Sequence, residues 1–192
     1  LKQYGNPKPR VFRLVEDQAL INRLGFNNHG AEVVRDRIKL ENNSGLLGIN
    51  IGPNKDTDDR LNDYLIGLKT FHEVADYITI NISSPNTENL RNFHEKSKLQ
   101  KLLKSILREK TNLNSNTPIA VKISPDINEN QINLISEILL ENKIKAIIVS
   151  NTSEATRDIL SNIQRHQKGG LSGKPIEEKS NILISKFYKL LK

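Results

Sequence analysis

The sequence predicts an α/β fold, part of an eight-stranded α/β barrel with about four central parallel strands and their helices. Short apolar runs rich in Ile, Val and Leu recur over 46–51, 77–83, 119–124 and 145–150, as buried parallel strands do. Helical periodicity fills the intervals over 60–75, 97–110 and 129–141 and closes the chain over 176–191. At 192 residues the chain is shorter than the roughly 250 of a complete barrel.

The elements follow in order. The segment Pro7-Lys-Pro-Arg-Val-Phe-Arg-Leu reads as a rigid extended start and a strand-like run, an excursion rather than a barrel stave. Ile21-Asn-Arg-Leu-Gly-Phe-Asn27 reads as a glycine-bent loop with polar side chains and one aromatic. Residues 1–30 thus stand apart from the repeated βα units of 46–192, in one incomplete domain without an internal repeat, low-complexity tract or interdomain linker. Asn128 with Gln131 predicts a capping pair, and Pro175 before Glu177 and Glu178 suits a first helical turn.

Strand alternation places side chains two apart on one face. Thr79, Asn81 and Ser83 share a face, as do Ala120, Lys122 and Ser124, and Ala146, Ile148 and Ser150; Asn50 fits the same pattern. Successive strands therefore present polar groups toward their carboxyl ends, where α/β barrels build their sites.

Composition excludes several classes. The net charge is +7, but the lysines are interleaved with Asn, Gln and Glu rather than gathered in one stripe, which argues against a nucleic-acid partner. With no cysteine there are no disulfides, thiolate metal sites or cysteine nucleophile, and no metal is expected. No run approaches the roughly 20 apolar residues of a membrane span. The absence of methionine and the start in a Gly-Asn-Pro-Lys-Pro loop read as part of a longer protein.

The residues that carry chemistry lie at strand ends. Asn81-Ile-Ser-Ser-Pro-Asn86-Thr interrupts a buried apolar strand with amides and hydroxyls, which folds retain where such groups are hydrogen-bonded or used. Singly, each asparagine reads as a turn or cap residue; together, around Ser83 and Ser84, they suit a planar polar ligand. Lys122, within an apolar strand, needs an anionic partner, which is either a ligand or a neighbouring acid such as Asp126. No His-Asp pair can be assigned to Ser84, so a hydrolase triad is unsupported. Gly169-Gly-Leu-Ser-Gly173 before a helix reads as a turn or a phosphate cradle.

In order, Pro9-Arg-Val-Phe-Arg-Leu, Ile21-Asn-Arg-Leu-Gly-Phe-Asn27, Gly48-Ile-Asn-Ile-Gly52, Asn81-Ile-Ser-Ser-Pro-Asn-Thr87, Val121-Lys-Ile-Ser-Pro-Asp126, Ser150-Asn-Thr152 and Gly169-Gly-Leu-Ser-Gly173 resemble the motifs of dihydroorotate dehydrogenases across essentially the whole chain. Serine at position 84 resembles the class 2, quinone-reducing enzymes, where class 1 has cysteine. The resemblance implies a barrel that holds FMN, oxidises dihydroorotate to orotate in pyrimidine biosynthesis and passes electrons to membrane quinone. It implies Ser84 as the base for the C5 proton while hydride leaves C6, Thr87 in the proton relay and Phe26 in a dry wall. Asn22, Asn81, Asn86 and Asn151 match the asparagines that grip the pyrimidine, with Arg23, Leu24, Gly25 and Thr152 in the same pocket. Asn50, Asn81, Lys122, Ser150 and Gly173 fall on FMN-contacting positions.

The chain departs from the family pattern at Glu88-Asn89, which replaces Pro-Gly after the serine motif, and at Ser150, where threonine is common. It also lacks the family's upstream membrane-associating segment and first strands, and the last strands with their phosphate-binding loops. The resemblance implies peripheral attachment at the cytoplasmic side of a membrane for the complete enzyme and a cytoplasmic location for this chain. It leaves two alternatives: a section of the enzyme, completed by further chain or a complementing barrel fragment, or a non-catalytic remnant that binds pyrimidines or a partner.

Overall fold

The computed structural model describes residues 2–41, 45–83, 94–155 and 157–192. Four parallel strands form its centre: β3 (Gly48–Ile51), β4 (Tyr77–Asn81), β5 (Ile119–Lys122) and β6 (Ala146–Ile148), in the order β3-β4-β5-β6. Helices α2 (Arg60–Phe71), α3 (Lys96–Asn112) and α4 (Glu129–Glu141) connect them, and α5 (Glu177–Leu190) closes the chain. With α1 (Ala31–Leu40), each helix packs against the next in chain order. This is the predicted arc of parallel strands and covering helices.

The two sheet faces differ because side chains alternate. Ile51, Ile80 and Val121 lie in register and point into the helix-covered core. There they meet helical stripes such as Leu99, Leu102, Leu103 and Ile106 of α3, spaced to share one helix face. Gly67 lets α2 approach β3 closely, since a Cβ there would meet Ile51 Cγ2 at 3.0 Å. The register Asn50, Thr79, Ala120, with Asn81 beside Lys122, faces the other way, as strand parity predicts.

The structure bears out the strand-like run before residue 15 as an excursion outside the parallel sheet and corrects the readings of the loop from Ile21 and of the glycine cluster. Strand β1 (Val11–Leu14) forms an antiparallel hairpin with β2 (Ala19–Asn22), so the segment read as a loop from Ile21 begins as a strand. The glycine cluster supplies β7 (Gly170–Gly173), which pairs antiparallel with β2 to give the order β1-β2-β7. It therefore forms a strand rather than a turn. Leu14, Ile21, Leu160 and Leu171 are buried in a second, smaller core. Helix α1 is not among the expected elements, although Ala31, Val34 and Ile38 stand at helical spacing and pack against the main core; it starts at Gly30 without a side-chain cap and buries none of its residues fully.

Candidate active site

The carboxyl ends of β3 to β6 meet the segment that follows β2 at a cleft of about 370 Å³. Its lining gathers Asn22, Leu24, Gly25, Phe26, Asn50, Asn81, Lys122, Asn151 and Thr152, together with Asn27, which the sequence reading did not single out. Strand parity brings the barrel residues here, and hairpin β1-β2 delivers residues 22–27. The loop is tied back by the Asn6 N–H to the Leu24 carbonyl at 3.0 Å and by Asn6 Nδ2 to the Arg23 carbonyl at 2.9 Å.

A polar relay fixes the orientation of the amides. Asn81, 3% exposed, accepts through Oδ1 from the Ser83 N–H at 3.2 Å and from Ser83 Oγ at 3.1 Å. Only oxygen accepts from a backbone N–H, so Asn81 keeps Nδ2, a donor, for the cleft. Asn151 donates through Nδ2 to Ser83 Oγ at 3.1 Å and accepts through Oδ1 from the Thr152 N–H at 2.8 Å. The ends of β4 and β6 are thereby locked together across the mouth.

Lys122 lies next to Asn81 in register. It is half-buried, and burial pushes its ammonium below the ordinary lysine value. Asp126, the neighbouring acid considered as its partner, instead accepts from Lys179 Nζ at 2.7 Å, from Ser153 Oγ at 2.6 Å and from the Glu154 N–H at 2.7 Å. Among the described residues the Lys122 ammonium makes no hydrogen bond or ion pair, and it is left facing the cleft.

Three candidates, Arg23, Ser150 and Gly173, are not in this lining. Arg23 stacks over Phe12, 4.6 Å from the ring centroid, and donates to Gln167 Oε1 and the Lys168 carbonyl, both at 3.1 Å. Ser150 Oγ lies 3.1 Å from the Asn151 carbonyl and 3.4 Å from Ser180 Oγ. Gly173 ends β7 at φ 101°, where a Cβ would meet Ala19 Cα at 2.9 Å, so its glycine serves the pairing with β2. Ser84, Asn86, Thr87 and the Glu88-Asn89 pair lie outside the described residues.

Comparison with known proteins fits this arrangement. A family model described as dihydroorotate dehydrogenase matches residues 1–192. A dihydroorotate dehydrogenase (quinone) of Bartonella tribocorum is 42% identical over 193 residues, covering 98% of this chain and 54% of that protein. One from Mesorhizobium japonicum is 44% identical over 192 residues, covering 100% of this chain and 54% of that protein. The crystal structure of DHODH from Eimeria tenella in complex with ferulenol matches with a TM-score of 0.94 at 34% identity, over 99% of this chain and 57% of that one. The ligand-free type from the same organism matches at 0.93 and 35%, over 99% and 59%. The chain spans about half the length of the curated relatives it matches. A family model matched from end to end, with relatives above 40% identity over nearly all its residues, means that the chain belongs to the dihydroorotate dehydrogenase family.

Proposed function

We propose that this chain carries the flavin- and pyrimidine-binding centre of a quinone-dependent dihydroorotate dehydrogenase, which oxidises dihydroorotate to orotate in pyrimidine biosynthesis. The observation that carries the reading is the cleft itself: a half-buried ammonium without a described partner stands beside the outward-facing donor of Asn81 and among further asparagine amides. That donor set fits FMN, whose ring presents carbonyl and ring-nitrogen acceptors, and Lys122, Asn81 and Asn50 would hold it. When bound, FMN supplies the acceptor for the two electrons that leave C6 of dihydroorotate as hydride.

The chain's own residues do the rest. Lys122 places a positive charge where the reacting centre becomes electron-rich. Asn22, Asn151 and Thr152 line the cleft beside Asn81, and amides with donors and acceptors on one planar group suit a pyrimidine's carbonyl and N–H edge. Phe26 and Leu24 exclude water from one wall. Ser84 takes the C5 proton as the C5–C6 double bond forms, and Asn86 and Thr87 complete the grip and the relay. Delivery of the electrons to quinone, as the relatives' names have it, supports a peripheral position of the whole protein at the cytoplasmic face of a membrane; no described helix is long and apolar enough to cross one.

The test is FMN titration of the purified protein, followed by anaerobic addition of dihydroorotate with flavin absorbance as readout. Bleaching is expected in the wild type and absent in Ser84→Ala, which should still bind FMN. A protein that binds no FMN overturns the reading.

A further inference from the structure

Tyr64 is the one helix residue whose side chain reaches the backbone of the cleft-lining strand in the described hydrogen bonds. It is fully buried on α2, and its hydroxyl donates to the Asn81 carbonyl at 2.6 Å. The ladder explains why that carbonyl needs a donor. Ile78 and Ile82 donate to Pro118 and Lys122 on the β5 side, so the N–H and C=O of even-numbered residues in β4 face β5 and those of odd-numbered residues face β3. The Asn81 carbonyl therefore faces β3. There Ile51 pairs with Ile80, and the N–H next in line belongs to position 53, which is Pro53 and has none.

We propose that the Tyr64 hydroxyl stands in for the missing N–H of Pro53, and that by fixing the Asn81 carbonyl Tyr64 acts as a positioning residue for the Asn81 amide in the flavin site. The inference rests on the flavin reading above. Asn81 carries both groups: its carbonyl is held from the helix layer and its side chain by Ser83, which in turn accepts from Asn151. Release of the carbonyl leaves the Asn81–Ile82 peptide held only by the Ile82 N–H to the Lys122 carbonyl, and so loosens the aim of the Asn81 amide. Burial raises the phenol far above its ordinary value, so it stays protonated and donating across the working pH range.

FMN affinity, measured by flavin fluorescence well below each protein's unfolding midpoint, tests this. Tyr64→Phe keeps the ring and its packing and is expected to weaken FMN binding about tenfold. Adding Pro53→Ala to Tyr64→Phe restores a backbone donor and is expected to recover most of that loss, which a general packing defect would not allow. Unchanged affinity in Tyr64→Phe, or no recovery in the double variant, overturns the inference and leaves the flavin reading standing. A wild type that binds no FMN overturns the flavin reading, and the inference with it.

Discussion

The Lys122 ammonium is held in a place that burial makes unfavourable for charge. Its folded pKa is depressed, so the full penalty is present below that value and fades as pH rises from it toward the unfolded one. Replacing the charge with an apolar group of similar length should therefore help folding and harm binding. Lys122→Met is expected to stabilise the unliganded protein by about 0.5–2 kcal/mol, as substitutions at functional positions commonly do. FMN affinity should fall in the same protein. Urea unfolding and FMN titration check the pair, and a destabilised Lys122→Met would show that the ammonium has a structural partner. Parity along each strand made Asn50, Asn81 and Lys122 readable from the sequence, because which face a side chain takes is a local property. Partnerships were not readable. Asp126 is claimed by Lys179 and Arg23 by Gln167 and Lys168, and only the folded chain brings those residues together.

Elements with local instructions formed where the sequence placed them. Helix α4 spans Glu129–Glu141 as expected, because Asn128 and Gln131 satisfy each other's N–H groups in a reciprocal capping box, both bonds at 3.0 Å. Asn128→Ala is expected to remove about 1 kcal/mol of stability, measured by urea unfolding, with little change in FMN binding. Elements with no local instruction were missed. Three of the five residues from Gly169 to Gly173 are glycines, and only pairing with β2 makes the strand Gly170–Gly173 among them. Gly173 shows what that pairing demands: φ 101° and ψ −159° form a backbone region nearly closed to other residues. Gly173→Ala is expected to cost about 1–3 kcal/mol in the same assay. Equal stability to wild type would mean that the β2-β7 pairing tolerates a shift.

At the scale of the whole molecule, the question is what holds the three-stranded sheet against the barrel strands, since the cleft lies between them. Asp126, after β5, accepts from Lys179 of α5, from Ser153 Oγ and from the Glu154 N–H. The Ser153 backbone in turn exchanges hydrogen bonds with Leu171 of β7, at 2.9 and 2.7 Å, and β7 pairs with β2, which leads into the residue 22–27 lip. One carboxylate thus ties a barrel strand, a helix and the lip-bearing sheet together. Burial alone raises the Asp126 carboxyl, but hydrogen bonds from Lys179, Ser153 and the Glu154 N–H, with the Lys179 charge, leave it below its ordinary value. A depressed folded pKa means that this stabilisation is present above the unfolded value of about 3.9 and is lost as pH falls through the folded one. The unfolding midpoint of the wild type should therefore drop as pH falls below about 4, through this group. Asp126→Asn is expected to lose about 2 kcal/mol at neutral pH, from hydrogen bonds to a charged acceptor, and to lack the part of the acid-induced drop that Asp126 supplies. FMN affinity should weaken in the same variant, because the lip it anchors frames the cleft. Parallel midpoint-against-pH curves for the two proteins would assign the coupling of sheet and barrel to another group.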